Sequence, residues 1–280
     1  MRINHNISSM VTQGSLYSTG VQMSKNLERL STGLRINRAS DDAAGLGVSE
    51  NLRTQVRGTA QARRNALDGI AAINIAEGAA NEISAILQRM RELAIQSAND
   101  TLTSTERGYT DSEFQALDDE INRIAAVTNY NGMLLLQGNG DNRFGDSSTL
   151  WIDANNTVGT DSMTISIATL SNAAAAAGGT GGIGTVDLTL SVQSQAVSAI
   201  ASLDLAIDSV NTMRSDMGAY VNRLEHAITN LTTANNNQQA AESIIRDVDF
   251  AHETSIFTKN QILTQSGTAM LAQANMISQS

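Results

Sequence analysis

At 280 residues the chain is long enough for one or two domains with a real core, and its apolar fraction of 41% contains almost no aromatics (3%). It has no proline, so no helix is forced to break for want of a backbone N–H, and no cysteine, which excludes disulfides, thiol catalysis and cysteine–zinc sites. A formal charge of −10 argues against a nucleic-acid backbone as the main partner.

The first residues, "MRINHNISSMVTQGS", lack the apolar core of a cleaved signal peptide, so export would need a route without one. No apolar run approaches the length of a membrane span, and no membrane insertion is expected. Ile3, Ile7 and Met10 begin a helical stripe, and Met23, Leu27, Leu30 and Leu34 continue it with coiled-coil spacing. Gly33 then reads as a helix C-terminus. Ser40 is expected to cap the next helix, with Asp41 and Asp42 in its first turn and Arg35 and Arg38 near enough to neutralise them. The adjacent carboxylates lack the further oxygen ligands of a cation loop, so "INRASDDAAG" reads as a polar joint between two helices.

A second stripe starts at Val48 and Leu52 and becomes strict through Ile70, Ile73, Ala80, Ile83, Leu87, Met90 and Ala94. A third runs through Phe114, Leu117, Ile121 and Ile124. From about 138 to 193 the pattern changes. "STLWIDA" and "SMTISIA" alternate like strands, with Met163, Ile165 and Ile167 on one face and "NNTVGTD" as the turn between them. "SNAAAAAGGTGGIG" reads as a flexible surface loop. The cleanest stripe follows: Leu203, Ile207, Val210, Met217, Val221 and Leu224 form a seam broken only by Arg214. Its head is expected to reach Asp208 or Asp216 while its stem lies along apolar surface. Past "TANNNQQ" the register shifts, and Ile256, Leu263, Met270 and Ile277 recur every seven residues. Stripes in such separated segments need partners to bury them, either each other or neighbouring copies.

No chemistry emerges from the motifs. His5, His226 and His252 lack any zinc-binding spacing, no G-x-S-x-G elbow occurs, and "GGTGGIG" lacks the lysine of a phosphate loop. No catalytic, cofactor or metal site is expected, and the chain reads as a non-enzyme. The rival reading, a metalloprotein using Asp41–Asp42, lacks convergent ligands.

Several long motifs resemble one family. "LERLSTGLRINRASDDAAGLGVSENLRTQVRG", "ARRNALDGI", "LQRMRELAIQSAND" and "NYNGMLLL" resemble the N-terminal region of bacterial flagellin. "RSDMGAYVNRLEHAITNL" and "IRDVDFAHETSIFTKNQILTQSGTAMLAQAN" resemble its C-terminal region. The resemblance implies a mainly α fold: a long-helix bundle and coiled coil formed by both chain termini, with a small β-hairpin region in the central insert. It divides the chain into an N-terminal arm of the filament core (1–41), the first part of a helical bundle (42–138), a hairpin and variable insert (139–193), a C-terminal bundle helix (194–235) and a C-terminal arm (236–280). The implied function is a subunit that polymerises into the flagellar filament for swimming. The alternative is a hook–filament junction protein of the same architecture. Implied partners are other copies of the chain, a flagellar secretion chaperone, cap and junction proteins, and the innate immune sensor Toll-like receptor 5. The implied receptor contact matches Arg89 and an exposed Leu93 one turn on, with Glu113 from the following helix. The implied location is the extracellular filament, reached through the flagellar secretion apparatus.

Overall fold

The computed structural model describes residues 6–137, 144, 148–155, 157, 159–170 and 188–277. Ile3, His5, the Ile277 side chain and the glycine-rich loop at 171–187 lie outside the described residues. Among the described residues five helices dominate: α1 (Ile7–Thr32), α2 (Ala43–Ser97), α3 (Ser104–Val127), α4 (Gln193–Arg246) and α5 (Phe250–Ile277). Two antiparallel hairpins lie between α3 and α4: β1 (Asn129–Tyr130) with β2 (Met133–Leu134), and β3 (Ser148–Trp151) with β4 (Ser162–Ile165). The chain forms two compact units, one of residues 1–56 with 235–280 and one of residues 57–234.

In the second unit, α2 presents one unbroken heptad row: Thr59, Ala62, Ala66, Gly69, Ile73, Ala76, Ala80, Ile83, Leu87, Met90, Ala94 and Ser97 are all buried. Facing it, α4 runs antiparallel. Leu224 lies near Gly69, Arg214 pairs with Glu77 and Arg91 with Asp204. Leu203, Val210, Met217 and Leu224 are buried on α4, and Ile207 and Val221 are half-buried against the same core. Between them sit Ala199, Ala206 and Met213, small or flexible residues that complete the seam.

A third helix joins this pair. The α3 N-terminus is closed by a capping box, Thr103 with Glu106, and Arg107 Nε donates to the Ser97 carbonyl at 2.9 Å. Phe114 and Ile121 are buried, with Leu117 and Ile124 half-buried beside them. Because α2 is flanked by two helices, it carries a second inward row, Ala72, Ala79, Ile86 and Leu93. By length and composition α2 is apolar enough to cross a membrane, contrary to the expectation from the sequence. Its two inward rows account for that apolarity.

The strand-like segments pair as β3 and β4, with Ser148 opposite Ile165 and Trp151 opposite Ser162. Met163, Ile165 and Ile167 are buried on one face. The hairpin lies along α2: Asn65 Nδ2 donates to the Trp151 carbonyl at 3.1 Å, and Leu150 covers Gly69. The β1–β2 hairpin has Asn131 at φ 51 and Gly132 at φ 78, the two left-handed positions of a type I′ turn. Further on, the segment before α4 is tied down. Leu190 N donates to Asp111 Oδ1 at 2.6 Å, and Ser97 Oγ donates to the Leu190 carbonyl at 2.7 Å.

Candidate functional site

The first unit is built around α1 and α5, the two ends of the chain. They run antiparallel: Asn6 Nδ2 donates to the Ala274 carbonyl at 2.9 Å, Ser9 Oγ to Asn275 Oδ1 at 2.8 Å, and Arg29 approaches Glu253 at 3.8 Å. Asn6 caps α1 by accepting from Ser9 N, and Asp249 caps α5 by accepting from Ala251 N at 2.9 Å and His252 N at 3.2 Å.

The face each arm turns toward the other is not its most apolar one. On α1 the inward row is Ser9, Thr12, Leu16, Thr19, Met23, Asn26 and Leu30. On α5 it is Glu253, Phe257, Asn260, Thr264, Gly267, Leu271 and Ala274. Large apolar residues are left outside instead. Ile7, Val11, Tyr17, Val21 and Leu27 are exposed on α1, as are Phe250, Ile262, Leu263 and Met276 on α5. Met10 and Met270 are 64% and 62% exposed. Of the sequence-derived stripe, Ile256 is half-buried. Leu27, expected in the α1 stripe, also points out. The pair thus buries Asn26, Glu253 and Asn260 while a row of large apolar side chains stays in solvent without a partner among the described residues.

The joint between α1 and α2 is closed differently from the sequence reading. Gly33 ends α1 in the left-handed region at φ 72, as expected. The cap of α2, however, is Asp42, whose Oδ1 accepts from Gly45 N at 2.8 Å. Ser40 stands too early, because the chain makes a further turn before the helix begins. Arg38 Nε pairs with Glu28 at 2.9 Å, and Arg35 Nη2 donates to the Ile245 carbonyl at 2.6 Å, so neither arginine neutralises the Asp pair. Asp41 Oδ2 accepts from Arg38 N at 3.1 Å and Asn37 N at 3.3 Å, with Lys25 3.9 Å from its other oxygen. Those backbone donors, then Lys25 and Arg29, hold the Asp41 carboxyl below the ordinary carboxylate range. The other connector runs beside it. Arg35 N donates to the Arg246 carbonyl at 2.7 Å, Val248 N to the Gly33 carbonyl at 3.0 Å, and Leu34 bridges to Asp247. Arg246 reaches Glu50 at 2.7 Å and keeps that carboxyl low as well. Both chain crossings are thus locked into one tie.

Two other readings change. Arg214 reaches Glu77 Oε1 on α2 at 3.0 Å rather than Asp208 or Asp216, which lie on its own helix away from the seam. Arg89 and Glu113 do come together, at 2.9 Å, and Arg89 also holds Glu92 at 3.0 Å. Leu93 is not the exposed anchor expected beside them. It is 1% exposed, because the second inward row of α2 carries it into the core. Among the described residues no group of three His, Asp or Glu side chains is arranged to hold a metal ion. His226 and His252 are exposed.

Comparisons with known proteins agree with this architecture. Residues 3–141 match the bacterial flagellin N-terminal helical region, and residues 200–280 match the bacterial flagellin C-terminal helical region. The chain is 45% identical over 284 residues to the flagellar filament 33 kDa core protein of Treponema phagedenis, covering 100% of this chain and 98% of that one. Among solved structures, Bacillus cereus flagellin superposes with a TM-score of 0.50 at 30% identity, over 64% of this chain and 94% of that one. A putative flagellar hook-associated protein from Vibrio parahaemolyticus superposes with a TM-score of 0.58 over 74% of this chain and 99% of that one, but its 15% identity speaks only to a shared fold.

Proposed function

The chain belongs to the bacterial flagellin family and is a structural subunit of the flagellar filament; from that premise we propose that the α1–α5 arm pair is the surface through which it polymerises and that these arms line the filament core. One observation carries this: the pair leaves Ile7, Met10, Leu263 and Met270 in solvent while Asn26, Glu253 and Asn260 are buried in its own seam. Each such side chain is worth about 1.5–3 kcal/mol when fully buried. A row of them exceeds the roughly 4–15 kcal/mol that association costs in lost motional freedom. The identity spanning the full chain is to filament core proteins, which favours the filament over the hook–filament junction.

The same reading assigns export through the flagellar secretion apparatus without a cleaved signal. It also assigns transient partnership with a secretion chaperone and with cap and junction proteins. The innate-receptor contact narrows to Arg89 and Glu113, which form an exposed ionic pair on α2 and α3. Arg89→Ala should lower activation of Toll-like receptor 5 by monomer several-fold with helicity unchanged. Equal activation removes Arg89 from that role.

Polymerisation is tested with the purified chain, by sedimentation and electron microscopy after nucleation with sheared filament fragments. Wild type should form long filaments. Leu263→Asp with Met270→Asp should stay in the supernatant while keeping the thermal transition of residues 57–234. Filaments of normal length from the double variant would refute the proposed surface.

A further inference from the structure

The seam between the arms contains a cluster of polar groups that the polymerisation surface does not use. Asn26, Glu253 and Asn260 are 5%, 4% and 3% exposed, in a unit whose large apolar side chains mostly face solvent. With its amide oriented to suit its neighbours, Asn26 donates to the Gln22 carbonyl and to Glu253 Oε1, each at 3.0 Å. Its oxygen accepts from Asn260 Nδ2 at 3.1 Å. Arg29 lies 3.8 Å from the same Glu253 carboxylate. Further along, Gly267 receives Leu16: a Cβ there would stand 2.9 Å from Leu16 Cδ2.

We propose that Asn26, Glu253 and Asn260 determine specificity in arm pairing, selecting one antiparallel register of α1 on α5. The apolar pattern is unable to do this by itself. On the facing rows, Leu16, Met23 and Leu30 of α1 and Phe257, Thr264 and Leu271 of α5 each recur every seven residues, so sliding α5 by one heptad, about 10 Å along the axis, again sets these rows against each other. Glu253 and Asn260 share that seven-residue spacing, but both meet the one Asn26. A heptad slip in either direction carries one of them out of reach of Asn26 and takes Glu253 away from Arg29, leaving polar groups buried without their partners, which is costly in a helix seam. Replacing a buried polar group by an apolar one in such a seam raises pairing strength and loses register. The Leu16–Gly267 fit supports the same alignment from the other end.

The absence of cysteine allows a direct test. Spin labels are placed at the exposed positions Ser8 and Gln273 through Ser8→Cys and Gln273→Cys. The labelled full-length chain is diluted into unlabelled wild type, and intrachain distances are read by pulsed electron spin resonance in filaments and in the soluble fraction. Filament yield from wild type reports on polymerisation, and the distances report separately on register. Wild-type chains in filaments should give one narrow distance. Asn26→Leu/Glu253→Leu/Asn260→Leu should add at least one population displaced by about 10 Å along the axis. The milder Asn26→Leu/Asn260→Leu is read in the same way if the triple variant stays soluble. A single unchanged distance in both variants overturns the proposal. So does a featureless spread in both, since that would mean the cluster is needed for pairing itself rather than for its register.

Discussion

Two glycines inside α2 should respond to the same substitution with opposite signs. Gly78 has no atom within 4 Å of where a Cβ would stand, whereas a Cβ at Gly58 would lie 2.6 Å from Ala154 Cβ and 3.1 Å from Ala154 Cα. Both sit deep in a 55-residue helix, so both gain the same helix propensity on becoming alanine, about 0.5–1 kcal/mol. Part of that gain arises in the unfolded chain, where alanine has fewer conformations to lose. At Gly78 nothing opposes it. At Gly58 the obstacle includes backbone of the β3–β4 connection, which has no rotamer to escape into, and overpacking of that kind costs about 1–3 kcal/mol. The net expectation is a gain of about 0.5–1 kcal/mol for Gly78→Ala and a loss of about 1–2 kcal/mol for Gly58→Ala. For a body of 150–250 residues each kcal/mol moves the midpoint by about 2–4 °C, so the two melting curves should separate by at least ~3 °C. Trp151, the one tryptophan, lies on β3 and gives a local fluorescence readout of hairpin seating beside global circular dichroism. An equal rise in Tm for both variants, with unaltered Trp151 emission, would show that the hairpin does not seat against α2 at Gly58.

The arms should exchange amide hydrogens quickly in monomer at residues 6–32 and 250–277 and slowly in filaments, because their apolar faces are unpartnered until polymerisation; strong protection in monomer refutes this. Truncation after Asn235 removes α5 and the end of α4, and should abolish polymerisation while the melting transition of residues 57–234 survives; filaments from the shortened chain would sink the assignment. At the joint, the lowered Asp41 and Glu50 carboxyls contribute stability that is fully present above the ordinary carboxylate range near pH 4 and lost as pH falls through their depressed folded values. Exchange at Asn37 and Arg38, whose amides Asp41 holds, corrected for intrinsic pH dependence, should therefore accelerate on acidification below about pH 4, and Asp41→Asn should be fast at every pH. Acid-insensitive exchange in wild type removes Asp41 from the joint's support.

Sequence periodicity revealed the half of α2 where the seam is built of Ile73, Ile83, Leu87 and Met90, since large side chains announce themselves. It did not reveal Thr59, Ala62, Ala66 and Gly69, which occupy the same row but look like any helix surface. In α5 the reading followed Ile256, Leu263 and Met270, whereas the row facing α1 lies one residue further on and is marked by Phe257, Asn260 and Gly267. Hydrophobic pattern finds the rows of large side chains; only geometry separates the face proposed to be buried in the assembly from the one buried within the chain. Leu93 was misplaced for a related reason: a helix with two neighbours has a wider apolar face than one stripe describes. The Asn131–Gly132 turn, by contrast, was written in the sequence as an Asn-Gly pair before Met133 and Leu134, and went unread beside the longer motifs. Arg214's partner was beyond any local reading, because Glu77 stands 137 positions away.

That remoteness is greatest at the arms, and it sets an order of events. Asn6 and Ala274 share a hydrogen bond across 268 positions, and Ser9 and Asn275 across 266. Links such as Arg107 to Ser97 span only 10. Contacts close in sequence form at little loop-closure cost, and distant ones wait until the chain between them is already compact. The α2–α3 hairpin therefore forms early and the α1–α5 pair last, since no part of α1 has its partner until the final stretch of chain is present. A subunit whose two ends must meet cannot complete its fold while either end is still threaded through a narrow passage. On the proposed reading, in which the outer face of the arms meets neighbouring copies, the subunit finishes folding beside them.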